Sequence, residues 1–207
     1  MVTSNIQVLS QETIDKIAAG EVVERPSSVA KELVENAIDA GATAITVEIK
    51  DGGSTLIRIT DNGSGIRKDQ VPLAFLRHST SKITSAADLA GVTSLGFRGE
   101  ALSSIAAVAH VELITKPADQ MLGTSYVIEG GREVSMEEIG APDGSTFFVR
   151  QLFYNTPARR KFLKSNHTEG TYVFELMQHM ATRKSLSASS IRGRRSWPLP
   201  EAGTSGM

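Results

Sequence analysis

The chain has 207 residues, enough for a core of useful size. Twenty-two Lys and Arg against 23 Asp and Glu give a net charge of −1, so there is no overall cationic field to gather nucleic acid and any such contact must be local. The absence of cysteine excludes disulfides, thiolate catalysis and cysteine-bound zinc, and the four histidines have no HExxH spacing.

The first 20 residues carry neither a basic leader nor an apolar run; they read as an arm and a short helix near 11–19 of a cytosolic, membrane-free protein, nucleoid-associated if bacterial. Pro26 at a first helical position and Gly41 as a left-handed stop bound a helix over 26–40. Its Glu32, Glu35, Asn36 and Asp39 fall within an arc of about 100° beside a broad apolar stripe. A solvated outer face is the ordinary reading of such an arc. The alternative is a carboxylate and an amide one turn apart that look into a pocket, the amide oxygen on Mg²⁺ and the carboxylate on an attacking water.

Ile45, Val47 and Ile49 alternate, Asp51-Gly52-Gly53-Ser54 is turn chemistry, and Leu56 to Thr60 is β-rich, which predicts a hairpin. "DNGSGI", Asp61 to Ile66, sits at the strand end. Its two glycines let a flat ligand approach the backbone, and an ionised Asp61 can accept from an exocyclic amine, although DNG is also a common strand exit. Residues 67–99 are less periodic and close on "GFRGEAL", where glycines at a helix start suit phosphate. No P-loop sequence occurs. Strands are expected at 110–116, 124–129, 132–139 and 145–150, then Thr156 as an N-cap with Pro157 at the first helical position, and a helix over 168–181. Beyond Thr182 the chain is rich in Ser, Arg, Gly and Pro with no apolar periodicity, and no regular structure is expected there.

The strings "IAAGEVVERP", "KELVENAIDAGA", "DNGSGI", "RHSTSKI", "SLGFRGEALSSIA" and "LFYNTPARRKFL", in this order over residues 6–180, resemble the ATPase domain of the MutL family of DNA mismatch-repair proteins, within the gyrase, heat-shock chaperone, histidine kinase and MutL superfamily. The resemblance implies an α+β fold, a two-layer sandwich with a mixed, mainly antiparallel sheet and helices on one face. It implies ATP and Mg²⁺ as ligands, Glu32 as general base and Asn36 as the Mg²⁺ ligand. By the same carry-over Asp61 reads the adenine amine and Gly65 packs by the base. Ser81 and Lys82 lie near the nucleotide, Gly96, Phe97, Arg98 and Gly99 lie on the phosphates, and Thr146 is a further adenine-side residue with Ser145 an adjacent candidate. The expected organisation is an arm and first helix over 1–20, an ATP-binding domain over 21–181 with a lid at about 70–99, and a tail over 182–207 foreign to the family.

The implied function is a slow ATPase switch. ATP would drive homodimerisation and couple a MutS-like mismatch sensor to a downstream endonuclease or helicase, with DNA bound weakly or through the full-length protein. Family members also carry a second domain that supplies a lysine to the γ-phosphate, so a chain that binds ATP without appreciable turnover, or another ATPase of the superfamily, are the competing expectations. For the tail, codons for residues 181–187 such as GCC ACC CGG AAG TCT CTT TCA contain, out of frame, CAC CCG GAA GTC TCT TTC. These spell His-Pro-Glu-Val-Ser-Phe, similar to what the family carries after this helix. Residues from about 181 are therefore expected to be an out-of-frame translation, a cloning scar or a natural tail being the alternatives.

Overall fold

The computed structural model describes residues 8–77, 100–183 and 191–196. Helix α1, Gln11–Val22, starts at Ser10, whose hydroxyl accepts the Thr13 amide. Helix α2, Pro26–Asp39, opens on its proline and buries Val29, Ala30, Leu33, Val34 and Ala37. Gly41 ends it at φ 76°, which lets the Ala42 amide reach back to the Ala37 carbonyl at 3.0 Å.

Strands β1, Ile45–Lys50, and β2, Leu56–Asp61, form the expected hairpin, paired from Ile45 with Asp61 to Lys50 with Leu56. Their turn packs against the start of a later helix, where a side chain on Gly52 would strike the Asn166 backbone. After a short helix α3, Val71–Ala74, the described chain resumes at α4, Ala101–Val108. Strands β3, His110–Lys116, β4, Gly123–Glu129, β5, Arg132–Ile139, and β6, Gly144–Arg150, follow, then helices α5, Pro157–Phe162, and α6, Asn166–Arg183. Thr156 is at the N-cap of α5, but its side chain makes no capping bond.

The sheet order is β5-β4-β3-β6-β2-β1-β7, with β7 at Ile191–Ser196. Every pair is antiparallel except β1 with β7, so the fold is α+β with a mixed, mainly antiparallel sheet as expected. One face is apolar because alternate residues point to it: Ile57 and Ile59, Phe147 and Val149, Val111 and Leu113 are all buried. Helix α2 packs over β1 and β2 and α4 over β3 and β4. The opposite face carries a charged ladder, in which Arg150 bonds Glu112 at 2.8 Å and lies 4.8 Å from the Phe148 ring.

The expectation that the tail has no regular structure does not hold for 191–196, which runs parallel to β1 from Ile45 with Ile191 to Lys50 with Ser196. The open edge of β1 offers amides and carbonyls to any backbone, so pairing there needs no apolar alternation. At the other end of the core, the closing carbonyls of α4 are each taken up. Ala106 accepts from Gly131, Val108 from Phe153 and Ala109 from Gly130, while Ala107 accepts the side-chain amide of Asn155.

Candidate functional site

Asp61 is the last residue of β2 and continues the buried row of Ile57 and Ile59, so the alternation that builds the core carries a carboxylate to its rim. It is 7% exposed. Burial raises its pKa above the ordinary value of 3.8, against the opposing pull of the Gly63 and Ser145 amides. Gly63 donates to Oδ1 at 2.8 Å.

The register puts Ser145 of β6 opposite Asp61, and Thr115 of β3 opposite Ser145, so the three share one face. Thr115 and Ser145 hydroxyls are 2.9 Å apart, and Thr115 also accepts the Ile66 amide at 2.9 Å. Thr146 pairs with Thr60 instead, one residue out of step and hence on the other face, where its hydroxyl donates to that of Thr60 at 3.2 Å. Thr146 is therefore corrected to Ser145 as the residue beside Asp61. Thr115 was missed, although its parity with Val111 and Leu113 makes it a polar side chain in a core position, which is the signal that marks it.

The loop after Asp61 is held at three points. Asn62 accepts the amides of Thr43 and Ala44, both at 2.9 Å, and the Ser64 amide bonds the Ala40 carbonyl at 2.9 Å, which fixes the loop to the end of α2. Gly65 has φ 66°, and a side chain there would collide with the Lys116 carbonyl and Pro117, so the loop closes against β3. Glu32 and Asn36, both half-buried, sit about two turns and about one turn before that anchored end of α2.

The acidic arc of α2 is not uniformly solvated as an outer face would be. Glu35 is buried, with only 6% of its side chain exposed, and Lys31 stands between it and Glu32, 3.5 Å and 3.4 Å away. Burial raises the pKa of Glu35, Lys31 opposes this, and the negative charge of Glu32 adds to the rise. For Lys31, burial works against the charge but Glu32 and Glu35 outweigh it and its pKa is raised. Ser81, Lys82, Gly96, Phe97, Arg98 and Gly99 lie outside the described residues; α4 begins directly after them, with Glu100 at its N-cap.

The donor set suits a nucleotide with a hard cation. Asp61 spends part of its acceptor capacity on two amides and retains lone pairs for an exocyclic amine. Among the described residues no group of three His, Asp or Glu is placed to hold a metal, so an ion at Asn36 would complete its shell with phosphate oxygens and water, as Mg²⁺ does. Also among the described residues, no helix is long and apolar enough to cross a membrane.

Residues 24–139 match the family described as Histidine kinase-, DNA gyrase B-, and HSP90-like ATPase. The chain is similar to the DNA mismatch repair protein MutL of Agathobacter rectalis, 72% identical over 177 residues, which are 86% of this chain and 27% of that protein. It is 53% identical to MutL of Methanoculleus marisnigri over 182 residues, 86% of this chain and 31% of that one. The chain thus spans between a quarter and a third of these relatives. Among solved structures, the Aquifex aeolicus MutL ATPase domain complexed with ADP superposes with a TM-score of 0.65 at 32% identity, covering 86% of this chain and 63% of that one.

Proposed function

Because the chain belongs to the histidine kinase-, DNA gyrase B- and HSP90-like ATPase family, as an amino-terminal MutL segment, we propose that it binds ATP and hydrolyses it slowly as a switch in DNA mismatch repair. The observation that carries this reading is Asp61, a carboxylate buried at the rim of the core that accepts from two backbone amides. In this reading Asp61 accepts from the adenine amine, with Ser145 and Thr115 ordering the wall beside it and Gly63 and Gly65 letting the base approach. Glu32 takes the proton of the attacking water, and the amide oxygen of Asn36 faces the cation. Mg²⁺, when bound, spreads the phosphate charge. By family resemblance Ser81 and Lys82 lie near the nucleotide, and Gly96, Phe97, Arg98 and Gly99 serve the phosphates. At the level of the whole protein, the proposal includes ATP-dependent homodimerisation, a MutS-like sensor, DNA and a downstream endonuclease or helicase as partners, in the cytoplasm.

Thermal unfolding of the 207-residue chain with Mg²⁺ and a nonhydrolysable ATP analogue tests the binding step. At a hundred times its dissociation constant the analogue is expected to add about 2.7 kcal/mol of stability. A cooperative transition that does not move would refute nucleotide binding by this chain. A shift with no phosphate release from ATP would favour the non-hydrolysing reading over the switch.

The tail forms part of the same proposal. With TCC in place of TCA at Ser187 and codons compatible with residues 188–197, the shifted frame can continue from Val-Ser-Phe to Arg-Phe-Ile-Asn-Thr-Gly-Gln-Glu-Glu-Leu. Alternating Val-Ser-Phe-Arg-Phe followed by Asn-Thr-Gly is a strand and turn signal, and β1 has an edge that takes a parallel strand. The gene is expected to carry this frame around codon 181; a nucleotide sequence without it ends the idea.

A further inference from the structure

Thr115 has one hydroxyl proton and three polar neighbours. Its Oγ1 lies 2.9 Å from the Ile66 amide, 2.9 Å from the Ser145 hydroxyl and 3.2 Å from the Gly144 carbonyl. At 1% exposure it is out of reach of bulk solvent, so its one donor and two acceptor sites are matched by these three groups. The Ile66 N–H can only donate and the Gly144 carbonyl can only accept. Thr115 therefore donates to Gly144, accepts from Ile66 on one lone pair, and accepts the proton of Ser145 on the other. The reverse, with Thr115 donating to Ser145, would set a hydroxyl lone pair against the Gly144 carbonyl and turn that contact from a bond into a repulsion.

The consequence falls on Ser145. It stands opposite Asp61 in the ladder and gives its amide to the Asp61 carboxylate, while its only hydroxyl proton goes to Thr115. We propose that Thr115 is a positioning residue for base choice: by holding the Ser145 proton it leaves Asp61 and Ser145 as acceptors alone, which favours a 6-aminopurine over a 6-oxopurine. The inference rests on the reading of Asp61 as the acceptor for an adenine amine. An exocyclic amine donates to such a rim, whereas a 6-oxo group brings lone pairs to lone pairs and finds no donor on either side chain. Were Ser145 free to turn, its O–H could serve the oxo group and narrow the difference. Thr115 acts through Ser145 and need not touch the nucleotide. Because the Ile66 amide closes the loop after Asp61 onto the same oxygen, the loop itself holds the hydroxyl in this direction.

ADP and inosine diphosphate carry an amino and an oxo group at position 6 of the base, and their affinities in the presence of Mg²⁺ are compared by calorimetry. The proteins are the 207-residue chain, Thr115→Val, Thr115→Ser, Ser145→Ala and Thr115→Val combined with Ser145→Ala. Thr115→Val frees the Ser145 proton and is expected to lower the preference for ADP about tenfold, the worth of one hydrogen bond gained by the oxo group. Thr115→Ser, which keeps the hydroxyl, is expected to restore the parent ratio. In the Ser145→Ala background Thr115→Val is expected to leave the ratio where Ser145→Ala alone puts it. If Thr115→Val weakens both nucleotides equally, Thr115 acts only by holding the loop and the proposal is overturned, as it is by a fall in ratio that persists without the Ser145 hydroxyl. Neutron diffraction from deuterium-exchanged crystals of the unliganded parent reads the hydroxyls with neither variant nor ligand. The deuterons are expected between Thr115 and Gly144 and between Ser145 and Thr115, and a Thr115 deuteron aimed at Ser145 refutes the proposal while leaving nucleotide binding intact. If the parent binds neither diphosphate, the nucleotide reading itself fails and base choice falls with it.

Discussion

Glu32→Gln is expected to lower ATP hydrolysis by about 100-fold or more while leaving nucleotide affinity within about twofold, since general-base catalysis contributes 10²–10⁴ and the side chain makes no contact with the base or ribose in this reading. The substitution keeps shape and hydrogen-bonding capacity and removes only the proton acceptor. Glu32 is half-buried on a helix whose core face is formed by other residues, so the unliganded melting temperature is expected to hold. Phosphate release measured under single-turnover conditions, beside analogue binding by calorimetry, separates the outcomes. Equal loss of binding and rate would move Glu32 from the chemistry to the binding surface. An unchanged rate would leave the arc of α2 without a catalytic role.

Asp61→Asn is expected to weaken nucleotide binding by about 100-fold, the equivalent of roughly 3 kcal/mol, the upper range for a hydrogen bond to a charged group. The amide keeps one acceptor but sets its own N–H₂ beside the ligand or beside the Gly63 and Ser145 amides. The unliganded protein is expected to be no less stable, because the variant removes a carboxylate whose ionised form burial disfavours. The pH dependence follows in sign. The folded pKa lies above the ordinary 3.8, so as pH falls the folded protein takes up this proton before the unfolded chain does. The Asp61 contribution to unliganded stability therefore rises as pH falls through that window and is lost as pH rises through the folded pKa. Nucleotide affinity runs the other way, falling as the carboxylate is neutralised. Melting curves with and without analogue across the acidic range are expected to converge in the parent, and to lie close together at every pH in Asp61→Asn.

The helices and strands were legible because their signals are local. Pro26 and Gly41 mark the two ends of α2, and Ile45, Val47 and Ile49 alternate as a strand half-covered by helices must. Asp61 stood out by its place between a strand and two glycines. Thr115 and Ser145 were harder because their importance comes from pairing across β3, β6 and β2, residues 115, 145 and 61, and sequence distance hides such neighbours. The choice of Thr146 over Ser145 failed by one step of the alternation, which is enough to send a side chain to the opposite face. Glu35 was placed with its neighbours on one polar arc, yet packing has buried it, because an arc at the margin of an apolar stripe is covered or not according to what lies beside the helix. Strand β7 was not foreseen since its pairing depends on a vacant edge of β1 and not on its own pattern.

The position of β6 in the sheet bears on the order in which the protein is made. It lies between β3 and β2, so the hairpin of β1 and β2 and the meander of β3, β4 and β5 are joined only when a strand more than 80 residues after Asp61 slides between them. A chain emerging from the ribosome holds Asp61 and Asn36 long before it holds Ser145, and the wall that orders Asp61 is absent until residue 150 has cleared the exit. The wall beside Asp61 is thus among the last parts of the sheet to close as the chain is made, and no shorter precursor carries it.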